Sequence, residues 1–211
     1  MDHIKNIARL FNSSAVESPL LETFDAGVLE LTSGRLVASD PLTTPDILPF
    51  TTLFPTGQFK TLIHRERESS CVAYAEIVFG DEKIERWEMA LTDGQDLTQL
   101  QGEEIYGYPV ESGMGCLMDA AVQADLQRLE QEIYEKKGDD FMGIYEEFFH
   151  PHFFHEDGAV DQFALLKPYV EKAGNLLAFE AGYGEGFYAS YIGFAKDGRP
   201  MKLVTEFIEI L

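Results

Sequence analysis

The tetrapeptide Lys196-Asp197-Gly198-Arg199 constrains the fold of this chain more than any other stretch. Asp-Gly supplies the positive backbone φ that a tight hairpin needs, and its twist matches that of flanking strands. GFYASYIGFA (186–195) and PMKLVTEFIEIL (200–211) on either side are rich in the aromatic and branched residues that strands favour. Together with NLLAFEAG (175–182) they read as a closing antiparallel β-meander.

Earlier segments carry the same signature. GVLELTSGRLVASD (27–40) reads as two short strands joined by a tight turn at Ser33-Gly34. PLTTPDILPFTTLFPTG (41–57), rich in Pro and Thr, reads as a packed loop. QFKTLIHRE (58–66), SCVAYAEIVFG (70–80) and KIERWEMAL (83–91) read as strands, with Gly80-Asp81-Glu82 turning between the last two. Neither face of KIERWEMA is cleanly apolar, which suits an edge strand or one with a partner-facing side.

Helical periodicity is more restricted. Ile4, Ile7, Ala8 and Phe11 fall on one face, which predicts a short amphipathic helix over 2–12. Residues 103–138 read as strand, Gly-rich turn and helix, with Val122, Leu126, Leu129 and Ile133 as the helical stripe and Gly138 as its stop. Segments 140–149 and 161–171 read as short helices around the insert HPHFFHEDG. The expected class is α+β: a largely antiparallel β-sheet or sandwich, a helical middle segment and a short N-terminal helix. One domain is expected over 1–211, made of an N-terminal helix and lead-in (1–26), a strand-rich part (27–110), a helical segment (111–172) and the meander (173–211).

A chain of 211 residues can bury roughly 70% of its unfolded surface, and 16 Phe and 9 Tyr supply a core despite a formal charge of −21. That acidity argues against nucleic acid as a partner, since phosphate contacts need clustered Lys and Arg, and against anionic membranes. No apolar run reaches transmembrane length and no secretory signal opens the sequence, so a cytoplasmic location is expected. Cys71 and Cys116 lack Cys-x-x-Cys spacing and read as two free thiols.

The charge is concentrated. Residues 101–160 hold 14 acidic and three basic residues, densest at Glu130, Glu132, Glu135, Asp139, Asp140, Glu146, Glu147, Glu156 and Asp157. One reading is a solvated helix face that maintains solubility; the other is a negative surface that steers a basic protein partner.

Candidate chemistry is sparse. Gly113-Met114-Gly115 lies between strand and helix, but Met118 stands where a dinucleotide fingerprint needs its third glycine, so a tight connection is the better reading. In Gly182-Tyr183-Gly184-Glu185-Gly186 the glycines permit positive φ in a turn beside packed aromatics. His150, His152, His155, Glu156 and Asp157 are the only compact set of metal-type ligands; Pro151 interrupts any helix there, and a surface loop is the plainer alternative. Cys116, at an expected helix start, reads as a small buried residue rather than a nucleophile, because no base is placed to activate it. Asp119, in the expected first helical turn, stabilises the helix dipole with no catalytic role required. Spacing assigns no catalytic residue, and no cofactor is expected.

The segments SGRLVASDPL, FPTGQFKTLI, RWEMAL, IYGYPVESGMGCLMDAA and AGYGEGFYASYIGFAKDGRPMKLVTEF resemble the bacterial domain-of-unknown-function family 4241 across about residues 27–207. The positions that carry the resemblance are Gly34, Asp40, Pro41, Pro55, Gly57, Trp87, Tyr108, Val110, Gly113, Gly115, Asp119, Gly182, Gly184, Gly186 and Tyr188. Glu111, Glu185 and Glu206 stand where the family pattern has Asp, and Tyr183 stands in for Trp. A carboxylate reaching one methylene further would misplace a catalytic base, so these read as charge or turn positions. The resemblance implies no established activity.

Two functions are weighed. The first is a non-catalytic protein-binding module, such as an immunity-like neutraliser of a basic bacterial toxin. Residues 130–157 would supply the charge, and Trp87, Tyr108, Glu111, Asp119, Glu185 and Tyr188 are candidate binding positions. The second is a metal-dependent hydrolase or small-ligand enzyme using the histidine cluster or the turn near Cys116 and Asp119.

Overall fold

A computed structural model describes residues 2–155 and 157–211. Its larger sheet has six strands in the order β1 (Leu21–Leu31), β3 (Gly57–Glu66), β4 (Val72–Val78), β12 (Pro200–Glu206), β11 (Ser190–Phe194) and β5 (Arg86–Met89). A second sheet has the order β2 (Leu36–Ser39), β7 (Met114–Asp119), β9 (Leu176–Glu180) and β8 (Phe163–Leu166). A short ladder joins β10 (Gly186–Tyr188) to β6 (Tyr108–Val110). Every pairing is antiparallel.

Strand alternation sorts the side chains into two cores. Ile63, Ala75, Leu203 and Ile192 of the larger sheet share one cluster with Leu36, Ala38, Leu117, Leu177 and Phe179 of the smaller. The opposite face of the smaller sheet, including Val37, Cys116, Met118, Leu176 and Ala178, packs against Val122 and Leu126 of α2 (Ala120–Lys137) and against Phe149 and Phe153. On the far side of the larger sheet lies α1 (Asp2–Phe11), which buries Ile7, Leu10 and Phe11, each worth about 1.5–3 kcal/mol. The chain is therefore an α+β sandwich with a helix on each outer face.

The N-terminal helix and the α2 stripe match their periodicity. After α2 the chain makes a π-helical turn (Tyr145–Phe149) and the short α3 (His150–Phe153), where Pro151 sits in the first turn and its missing N–H costs nothing. The loop 41–57 is packed, as its composition suggested: Gln123 Nε2 donates to the Pro45 and Ile47 carbonyls at 2.8 and 2.9 Å. Asp197-Gly198 does turn β11 into β12, with Gly198 at φ +86.

Other local expectations are corrected by long-range pairing. Ser33-Gly34 closes no hairpin, because β1 pairs with β3 while β2 pairs with β7; the turn carries the chain from one sheet to the other. Gly34 makes that switch at φ +72, where a Cβ would also collide with the Phe54 carbonyl oxygen. Gly80-Asp81-Glu82 is likewise a crossover, since β11 and β12 lie between β4 and β5. The C-terminal strands are not one meander, because β9 belongs to the smaller sheet. Residues 163–166, read as helical, form β8 against β9. Cys116 lies inside β7 and not at a helix start.

Candidate functional site

Asp119 ends β7 and caps α2, accepting from Ala121 N at 2.9 Å. Its Oδ2 also accepts from the backbone N–H groups of Thr32, Ser33 and Gly34 at 3.0, 2.8 and 3.1 Å, and Oδ1 from Ser33 Oγ at 2.7 Å. Burial raises its carboxyl pKa, but these donors outweigh burial and hold it below the ordinary value of 3.8. A carboxylate so saturated has no lone pair left for a substrate. Asp40, at the end of β2, is used the same way. Its Oδ2 accepts from Glu111 N and Ser112 N at 2.9 and 2.8 Å, and Oδ1 from Leu42 N and Thr43 N at 2.9 and 3.2 Å. Here too the donors overcome burial and lower the pKa.

The aromatic candidates are interior. Trp87 is buried on β5, where its indole N–H donates to Asn12 Oδ1 at 2.7 Å and ties down the end of α1. Tyr108 and Tyr188 are buried and face each other as a register pair of the β6–β10 ladder. Tyr188 Oη donates to the Gly184 carbonyl at 2.9 Å, and its ring meets Phe207 edge-on. None of the three is available as an exposed anchor. Glu111 and Glu185 follow and precede the Val110–Gly186 pair at the other end of this ladder, and both are exposed. The ladder thus brings Tyr108, Tyr188, Glu111 and Glu185 together, and leaves Trp87 and Asp119 elsewhere. Glu206 departs from the turn reading, being buried under α1, 3.0 Å from His3 Nδ1; burial raises its pKa and His3 only partly offsets this.

The histidines diverge. His150 stacks on Phe154 with centroids 4.7 Å apart, His152 lies edge-on to Phe148, and His155 Nε2 pairs with Asp161 Oδ2 at 2.8 Å. Glu156 lies outside the described residues. Among the described residues no three His, Cys, Asp or Glu are placed to hold a metal. Cys116 is fully buried, and burial pushes its thiol up to about 12, the reverse of nucleophile activation.

One titratable group was not anticipated. His64, Glu76 and Lys202 are buried between the larger sheet and α1: Glu76 Oε2 lies 2.8 Å from His64 Nε2, and Oε1 lies 2.7 Å from Lys202 Nζ. Burial alone would raise the Glu76 pKa, yet His64 and Lys202 together lower it. Lys202 also donates to the Ser13 carbonyl at 2.9 Å, so the ions brace the segment that follows α1. In the sequence these three are ordinary polar positions of strands, and no spacing links them.

The acidic segment lies at the surface. Glu132, Glu135, Asp139, Asp140 and Glu146 are exposed, Glu130 is half-buried, and Glu147 is drawn to Lys137 Nζ at 2.5 Å. Among them stand Tyr134 and Met142, 57% and 74% exposed. No described helix is long and apolar enough to cross a membrane.

Residues 29–205 match the model of a family described as Protein of unknown function (DUF4241). No curated protein and no solved structure matches the chain.

Proposed function

The chain belongs to the DUF4241 family, and from that premise we propose a non-catalytic binding protein that docks a basic protein partner through the acidic outer surface of α2 and the turn after it. The observation that carries this reading is the placement of exposed Tyr134 and Met142 within the acidic set Glu132, Glu135, Asp139, Asp140 and Glu146. Lys136 and Lys137 interrupt this set, and Lys137 is paired with Glu147, but acidic residues predominate. Hydrophobic anchors in a predominantly acidic surface suit an interface in which charge steers the encounter and the anchors hold it. Two buried aspartates in the matched region, Asp40 and Asp119, are consumed by backbone N–H groups, which favours a framework role for them over catalysis. An immunity-like neutraliser of a basic toxin is the specific form we propose, because an acidic face offers the same charge that such a toxin meets on nucleic acid.

The test is capture from the native host with tagged protein, run beside a variant carrying Glu132→Lys, Glu135→Lys and Asp139→Lys. The expected result is a partner of high pI that binds wild type, weakens with salt and is lost from the variant. Equal recovery by both proteins, or recovery of no basic partner, overturns the proposal.

A further inference from the structure

A second feature stands apart from α2. The turn at Gly113, φ +82, and the turn at Gly182 and Gly184, φ +50 and +106, lie against each other: a Cβ at Gly113 would sit 3.7 Å from Gly184 Cα. Opposite them are Tyr145 of the π-helical turn and Phe153 and Phe154 at the end of α3. Between these walls is a cleft of about 460 Å³, within the range of small-ligand sites. A Cβ at Gly184 would meet nothing within 4 Å, so the glycine keeps that wall open.

The lining has a definite chemistry. Its aromatic members are Tyr145, Phe153, Phe154 and Tyr183, the last 69% exposed, and Glu180 is its one charged residue among the described residues. No Lys, Arg or His lines the cleft among the described residues; His150 lies behind Phe154, stacked on its ring. Glu180 Oε2 accepts from Gln162 Nε2 at 3.1 Å, and no cation pairs with this carboxylate among the described residues. Glu111 and Glu185 adjoin the lining residues Ser112 and Gly184, are exposed, and likewise have no side-chain partner among the described residues.

We propose that this cleft binds a guanidinium group on an alkyl stem. Aromatic faces attract a cation through the ring quadrupole, and a planar delocalised guanidinium stacks on them while its fork reaches a carboxylate. The apolar walls take the stem, Glu180 takes the charge, and the same carboxylate disfavours an anion. The ligand is either a free small guanidine or the arginine side chain of a polypeptide, since the recognised group is the same.

The probes are n-butylguanidinium and a blocked Gly-Arg-Gly tripeptide, with n-butylurea as the neutral isostere. Binding is read from the amide resonances of Gly113, Gly182 and Gly184. Saturable shifts with n-butylguanidinium, none with n-butylurea, and affinity weakened about tenfold or more in Glu180→Gln are expected. Tyr183→Phe, which keeps the ring and loses only its hydrogen bond to Glu66 Oε2, should leave binding intact, whereas Tyr183→Ala, which removes the ring as well, should weaken it. Binding of the tripeptide as well identifies a polypeptide side chain as the source; binding of n-butylguanidinium alone identifies a free small molecule. Absence of shifts with both cationic probes, equal shifts with n-butylurea, or unchanged affinity in Glu180→Gln overturns the proposal. No residue of α2 lines the cleft, so failure here leaves the α2 reading standing. Loss of partner capture by the α2 variant, with n-butylguanidinium still bound, separates the two in the other direction.

Discussion

Asp40 and Asp119 stand at opposite ends of the β2–β7 ladder, and each gathers the backbone N–H groups that lead into the other's strand. Asp40 closes β2 and holds Glu111 N and Ser112 N just before β7; Asp119 closes β7 and holds Thr32 N, Ser33 N and Gly34 N just before β2. The reciprocity fixes both loops from one pair of strands. Capture of backbone N–H groups is by itself sufficient reason for Asp at these two positions.

Asp119→Asn keeps the shape but turns an amide N–H₂ toward donors. We expect a loss of about 2–4 kcal/mol in urea unfolding, with the denaturant slope unchanged. Asp40→Asn follows the same logic, and because the two share one ladder their effects will not add. A loss below about 0.5 kcal/mol for both would mean that the loops are held by something else.

Acid stability carries the same signature. Both carboxyls titrate below their ordinary value of 3.8 in the folded chain. The unfolded chain therefore takes up protons first as pH falls, so the contribution is present above 3.8 and is lost as pH drops toward the folded values. Glu206 has the opposite sign: its pKa is raised above 4.5, and its contribution fades as pH rises from 4.5 through the folded value. Urea unfolding across pH 3–7 checks this. Asp40→Asn with Asp119→Asn should flatten the acid limb, and Glu206→Gln the other.

The two thiols should differ sharply. Cys116 is buried in β7 with its pKa at about 12, whereas Cys71 is partly exposed. A thiol-specific disulfide reagent should titrate Cys71 in the native protein and both after denaturation. Rapid native labelling of Cys116 would contradict the packing of the smaller sheet against α2.

Glu76→Ala strands Lys202 and His64 beneath α1, and should cost about 3–5 kcal/mol. Replacing all three side chains by apolar residues, as His64→Phe, Glu76→Leu and Lys202→Met, should recover most of that loss. If the triple variant is no more stable than Glu76→Ala, the ions are needed for more than mutual compensation.

Gly34→Ala and Gly184→Ala both force a side chain into positive φ, at about 1–2 kcal/mol. Only Gly34 adds a collision, with the Phe54 carbonyl oxygen, while Gly184 faces open space. The first variant should be less stable than the second by a further 1–3 kcal/mol or so. Equal losses would place the strain in the backbone alone.

What the sequence revealed follows the range of the interactions involved. The stripe Val122, Leu126, Leu129 and Ile133, the helix carrying Ile7 and Phe11, and the Asp197-Gly198 turn are local, and each was legible. The turns at Ser33-Gly34 and Gly80-Asp81 look alike in sequence, but the partners that decide their use, Asp119 and the β11–β12 pair, are remote. Phe163–Leu166 is too short a run to distinguish helix from strand until β9 is beside it. The exposed acidic face was visible in composition. The cleft was not, because its walls come from separate segments, at residues 112–114, 145–154 and 180–184; the two Gly-x-Gly stretches were its one trace.

The placement of β12 and β11 between β4 and β5 has a kinetic consequence. Residues 72–78 and 86–89 emerge from synthesis with open hydrogen-bonding edges that only residues 190–206 can fill. Until then each edge is available to any other extended chain. Closure must also draw together segments more than a hundred residues apart, which places the chain among slow-folding topologies. Folding yield should accordingly fall with protein concentration during refolding, even under conditions in which the finished sandwich is stable.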